Sequence, residues 1–287
     1  MMLRTTWTDV ARAVRFETVR TRASRPLRWV AAIGFVTHVV ATFAVAAYLA
    51  FDPTVTTAFP AIDVATLVIT GPTVLALTAA VIGVLVGGAD YRHAAADLTF
   101  LVSPRRRAAL AAKVAVSALI AAAVTAAGAL VAAAALWGLY APVREEAIGA
   151  GIVLAVVAMQ MVKVVLWATV GTLAAVAARS QTVAGIAVVT ISFVVEPMAR
   201  SVVLLSPEGW WAQVPKVLPF TAINGVTGSG SGAGGPVFGT STLPAGWSLL
   251  VALAWVALFA LLADRSLWRH RSAVPPPGGA HLVGAVT

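Results

Sequence analysis

Between residues 147 and 178 the chain carries one charged side chain, Lys163, in an otherwise apolar run. At about 1.5 Å per helical residue, such a run spans the roughly 30 Å hydrocarbon layer of a bilayer. Similar runs occupy 29–51, 64–87, 115–140 and 247–263, and a further one starts near Thr182 and loses continuity at "EPMAR", residues 196–200. The chain is 60% hydrophobic and only 11% charged, whereas a soluble domain carries about a quarter charged residues. Only helices or closed barrels satisfy the backbone inside a bilayer, and these runs lack the alternation of barrel strands. The expected fold is an all-α integral membrane protein with six transmembrane helices over 29–263, built as a single domain.

The polar residues predict how those helices are oriented. An even number of spans puts both termini on one side. That side holds sixteen of the twenty lysines and arginines, against Arg144, Arg200 and Lys216 on the other, with Lys163 inside a span. The positive-inside rule then makes both termini cytoplasmic. The net charge of +9 is accounted for by topology and anionic lipid headgroups, with no nucleic-acid partner. Residues 1–28 lack the apolar core of a signal peptide. They predict a cytoplasmic amphipathic helix lying along the membrane, with Trp7, Val10, Ala11, Val14 and Thr18 at helical spacing and Arg25-Pro26 breaking it. Residues 264–287 form a cytoplasmic tail. There is no cysteine, and His38, His93, His270 and His281 show no ligand spacing, so no metal or thiol site is expected.

One island interrupts the apolar pattern. Residues 88–113, "GADYRHAAADLTFLVSPRRRAALAAK", mix both signs of charge with aromatic residues. They read as a short helix stopped at Ser103-Pro104, after which a second helix starts and becomes the third span. A loop that only fixes topology needs arginines; it does not need Asp90, Tyr91, Asp97 and Phe100. A surface with both charges and aromatics is what docking requires.

The sequence Asp90-Tyr91-Arg92, placed after an amphipathic N-terminal helix and two spans and followed by "LVSPRRRAALAAK", resembles the permease subunit of the bacterial type 2 ABC transporters. Ala94-Ala95 stand where that family usually has Gly-Thr. The resemblance implies a membrane-spanning subunit of an ATP-driven transporter, in most members an exporter, in the bacterial plasma membrane. It implies a coupling helix in the 88–113 loop that docks on a separate ATP-binding subunit through Asp90, Tyr91, Arg92, Asp97, Arg105, Arg106 and Arg107. It also implies a second permease subunit, identical or not, facing this one. ATP and Mg would belong to the partner, because no G-x-x-x-x-G-K-[ST] phosphate loop is present here. The chain is therefore not expected to be an enzyme by itself, nor to bind a cofactor.

Two further regions carry information. In the external segment 196–245, Pro197, Pro207, Pro215 and Pro219 exclude one continuous helix, and Trp210-Trp211 suit an interface. Short external or re-entrant helices are expected there, followed by a flexible Gly-rich loop over 224–239. Within the spans, Lys163 and Gln160 lie one turn apart, and Glu196 falls at a comparable distance from the turn near Ser180. These residues are candidates for an intramembrane ion pair or for the substrate path, and His38 joins them as a buried polar group. Gly83 and Gly87 allow close helix approach. Two other classes stay open: a non-transporting membrane anchor or assembly protein, and a membrane-embedded enzyme, although Lys163 and Glu196 form no familiar catalytic set.

Overall fold

A computed structural model describes residues 7–52, 61–70, 74–92, 106–144, 148–205, 209–227 and 243–269. Among these residues there is no β-strand, and six helices are long and apolar enough to cross a membrane. Helix α1 (Trp7–Ala23) precedes α2 (Arg25–Phe51). Between them Ser24 alone is non-helical, and its side chain caps the Leu27 amide while Pro26 sits in the first turn of α2, where its missing N–H costs nothing. The second span is built from α3 (Ala61–Thr70) and α4 (Val74–Arg92). The third is α5, an α-helix over Arg106–Ala135 that continues through a π-helical turn at Leu136–Tyr140 into Ala141–Arg144. Then come α6 (Ala150–Ala178) and α7, which is α-helical over Gln181–Thr190, π-helical over Ile191–Val195 and α-helical again over Glu196–Leu205. A 3-10 helix (Trp210–Val217) leads into the short α8 (Pro219–Gly225), and α9 (Ala245–Arg269) is the sixth span.

Two boundaries differ from those the sequence predicts. The fifth span does not break at 196–200; it passes through them. Both π turns end two residues before a proline, Pro142 in α5 and Pro197 in α7. Proline removes one helical hydrogen bond and clashes with the carbonyl four residues back. A wider π turn moves that carbonyl aside and lets the helix continue. The sixth span also runs beyond residue 263, because Asp264, Ser266 and the last carbonyls of α9 find partners on neighbouring helices.

The bundle is polar inside and apolar outside at several points, as expected where the outer solvent is lipid. Along α2 the buried positions include Gly34, His38 and Thr42, while Trp29, Ile33, Val36, Val40 and Phe43 are exposed. At the centre α4 and α6 run parallel at close backbone approach. A Cβ on Gly83 would lie 2.1 Å from the Ala168 carbonyl oxygen, and one on Gly87 would lie 2.5 Å from that of Thr172. From the other side, a Cβ on Gly171 would meet the Ala80 carbonyl oxygen at 2.2 Å. Glycine is required at these positions because opposing backbones, unlike side chains, cannot rotate away. The α5 helix closes on this pair through a 2.7 Å hydrogen bond between the Ser117 and Thr172 hydroxyls. A core of Leu75, Ala76, Ala80, Val164, Trp167 and Phe220 surrounds the contact.

Candidate functional site: a buried charge ring and a polar column

Helix α1 does not present a purely apolar stripe to its surroundings. It buries Ala13, Glu17 and Thr21 against the bundle, one helical turn apart. Glu17 is 1% exposed, so its charge needs partners inside the protein. Its carboxylate lies 2.9 Å from Lys113 Nζ on α5 and 2.7 Å from Arg20 on its own helix. Lys113 in turn lies 2.9 Å from the Asp90 carboxylate at the end of α4, and Arg20 closes the circuit onto the other Asp90 oxygen. Arg20 also donates to the Val86 carbonyl at 3.4 Å. Two acids and two bases thus alternate in a ring that joins α1, α4 and α5. Its net charge is zero, which is the condition under which buried ions are tolerated.

A second set of contacts gathers three arginines around the end of α9. Arg107 chelates Asp264 with two bonds of 3.0 and 2.9 Å. Arg106 donates to the Leu267 carbonyl. Arg179 adopts a left-handed backbone at φ 51° to end α6, and its side chain donates to the hydroxyl (2.9 Å) and carbonyl of Ser266. Ser266 returns a bond to the Val176 carbonyl at 3.1 Å. The last four carbonyls of a helix have no intrahelical donors, and cations favour that end; Arg106 and Arg179 satisfy both needs. The ends of α1, α4, α5, α6 and α9 therefore meet at one end of the bundle.

These contacts correct the expected docking surface. Asp90 is 5% exposed and its carboxylate is engaged by Arg20 and Lys113, so it does not face outward. Arg106 and Arg107 are turned toward α9, although Arg107 keeps an exposed side chain. Tyr91 is half-buried, and Arg92 is the last residue of α4. Asp97 and Arg105 lie outside the described residues. Glu17 and Lys113 escaped the sequence reading. The signal for Glu17 was present as an acid among the arginines of the N-terminal helix, but nothing local names its partners.

The intramembrane candidates also separate. Glu196 and Lys163 do not pair. The Glu196 carboxylate accepts the Phe220 amide (2.8 Å) and the Thr221 hydroxyl (2.7 Å). It caps α8 in place of Leu218, whose side chain has no acceptor. A carboxylate at a helix start is favoured by both the free amides and the dipole. Trp255 of α9 bonds the Val217 carbonyl at 2.8 Å, which sets the start of α8 beside α9 about 15 Å along that helix. We expect Glu196→Leu to lower stability by about 1–3 kcal/mol, since it strands buried donors at the α8 start. Thermal unfolding of the purified variant measures this, and an unchanged midpoint would show that the cap contributes nothing.

Lys163 and Gln160 remain together on α6, 3% and 1% exposed. One turn further on the same face is Trp167, 1% exposed and stacked on Phe220 at 4.4 Å. Among the described residues, neither end of the Gln160 amide nor the Trp167 indole nitrogen has a hydrogen-bond partner. No described carboxylate forms an ion pair with Lys163. His38 lies apart from this column, against Gly128 of α5, with its Nε2 3.4 Å from the Thr42 hydroxyl of its own helix. His38 also hydrogen-bonds the Gly128 backbone of α5, so its polar contacts lie both on its own helix and on a neighbouring one. No group of three or more candidate metal ligands occurs among the described residues. No protein-family model matches the chain, and no curated protein matches it significantly.

Proposed function

We propose that this chain is the membrane-spanning permease subunit of an ATP-driven transporter of the type 2 ABC class, working as an exporter in a bacterial plasma membrane. The observation that carries the proposal is the charge ring of Glu17, Arg20, Asp90 and Lys113. It clamps the N-terminal helix to the two spans that flank residues 93–105. A displacement applied to that segment by an ATP-binding partner passes through a fixed joint into α4, α5 and α1 together, and α4 hands it to α6 through their shared backbone contact. Rigid elements of this kind convert a local push into movement of a whole bundle. The sixteen-to-three bias of lysine and arginine supports a cytoplasmic position for this end of the bundle. With Asp90 engaged internally, partner docking falls to Tyr91, Arg92 and the 93–105 segment with Asp97 and Arg105. Export by alternating access also requires a second permease subunit, and ATP and Mg bind to the partner ATPase.

Co-purification from the native membrane tests this reading. A companion carrying G-x-x-x-x-G-K-[ST] and ATP hydrolysis by the complex are the expected result. Asp97→Arg combined with Arg105→Glu should release the companion while the chain itself stays folded. If the chain is recovered alone and hydrolyses nothing, the transporter reading fails and a membrane anchor or assembly role replaces it.

A further inference from the structure

We infer that α6 carries a binding site for the anionic head of an amphiphilic molecule, formed by Gln160, Lys163 and Trp167. The three side chains recur at positions i, i+3 and i+7, so they form one column along one face of the helix. All three are at least nine-tenths buried. Buried polar groups in folded proteins are almost always hydrogen-bonded, yet the Gln160 amide and the Trp167 indole have no partner among the described residues.

The donor count fixes the chemistry of the occupant. An ammonium offers three donors, an indole one and a primary amide two, against a single carbonyl acceptor. The complement to such a set is acceptor-rich and negatively charged: a carboxylate, phosphate or sulfonate. The chain's own nearby acid does not fill this role, because both oxygens of Glu196 are held by the start of α8. The rest of the ligand is apolar, since Trp167 of the column packs in an apolar core with Phe220 and Val164. Phe220 lies against Trp167, so α8 must shift for a ligand to enter. This inference rests on the proposed transport function and names its substrate class. The site itself makes a claim about binding that holds without transport.

The test uses the purified full chain in lipid nanodiscs and radiolabelled dodecanoate, with dodecyltrimethylammonium as the opposite-charge control. Wild-type protein should take up dodecanoate saturably and the cationic control only by unsaturable partition. Lys163→Met should weaken dodecanoate binding by about tenfold or more, whereas Lys163→Arg keeps the charge and stays within about threefold. Lys163→Met removes a buried charge without opening a void, so the variant should still run as a folded species on gel filtration. Gln160→Leu provides a second, charge-neutral reduction in affinity. Absence of saturable binding, as for a site that holds only water, overturns the inference. Equal uptake of both amphiphiles, or unchanged affinity in Lys163→Met, overturns it too. A companion ATPase without dodecanoate binding removes this site and leaves the transporter reading intact; dodecanoate binding without any companion does the reverse.

Discussion

Replacing Lys113 with Met will destabilise the protein by about 3–5 kcal/mol. Lys113 is the only group in the ring that touches both acids across helices, at 2.9 Å each. Its removal leaves Glu17 and Asp90 to share Arg20, one excess negative charge in a closed site. Breaking a buried ion set from one side is costly because the charges left behind keep their desolvation penalty and lose their attraction. The cost is therefore mostly a matter of balance, and it can be returned. Glu17→Leu added to Lys113→Met leaves a neutral Arg20–Asp90 pair and should recover more than half of the loss. Chemical unfolding of the two single variants and the double variant in detergent forms a complete cycle. Strict additivity of the two single losses would show that the ring is not a unit.

Gly83→Leu will be at least as damaging, for a different reason. Even the first carbon of a side chain would stand 2.1 Å from the Ala168 carbonyl oxygen and 2.9 Å from the Thr172 nitrogen. Both are helix backbone, so the only relief is to move α4 away from α6. Overpacking of ordinary side-chain contacts costs about 1–3 kcal/mol; a rigid backbone contact places this variant at or above the top of that range. Gly171→Leu should behave alike, and the two together should cost less than their sum, because one separation relieves both. Gly151 supplies the control. It lies in the same helix as Gly171 but has nothing within 4 Å of a new Cβ, so Gly151→Ala should hold or raise stability, by up to about 1 kcal/mol. Recovery of monodisperse protein and its unfolding midpoint decide the matter. A well-folded Gly83→Leu would mean that α4 and α6 do not approach this closely.

The features that the sequence made legible are those set by local physics. Apolar run length placed the six spans, and Arg25-Pro26 marked the boundary between α1 and α2, which falls one residue earlier, at Ser24. Gly83 and Gly87 announced a close helix contact, though not its partner. The charge ring was illegible because its members come from three helices, with Glu17, Asp90 and Lys113 far apart in the chain. Read singly, Asp90 and the arginines of the 88–113 island look like a docking face; read in the fold, Asp90 and Arg106 hold the bundle's own helices. The expected Lys163–Glu196 pair failed at a similar point. Helical rise put both at a plausible depth, but depth says nothing of direction, and the start of α8 offers Glu196 two donors that no spacing rule reveals. The prolines of 196–219 were read as excluding one continuous helix; Pro219 does start a new helix, whereas Pro197 lies inside α7 and Pro215 inside the 3-10 helix, and Pro207 lies outside the described residues.

The π turn in α7 has a consequence for how that helix is aimed. Ala184 and Glu196 are both buried on the bundle side, twelve residues apart. An unbroken α-helix would rotate Glu196 about 120° away from Ala184, out toward lipid. A π turn takes up one residue without advancing the winding, so the same step behaves as eleven and the offset falls to about 20°. Residues 191–195 thus act as an angular corrector, and a single deletion among them would leave the Glu196 carboxylate pointing at α8, whereas the same deletion two turns earlier would swing it outward.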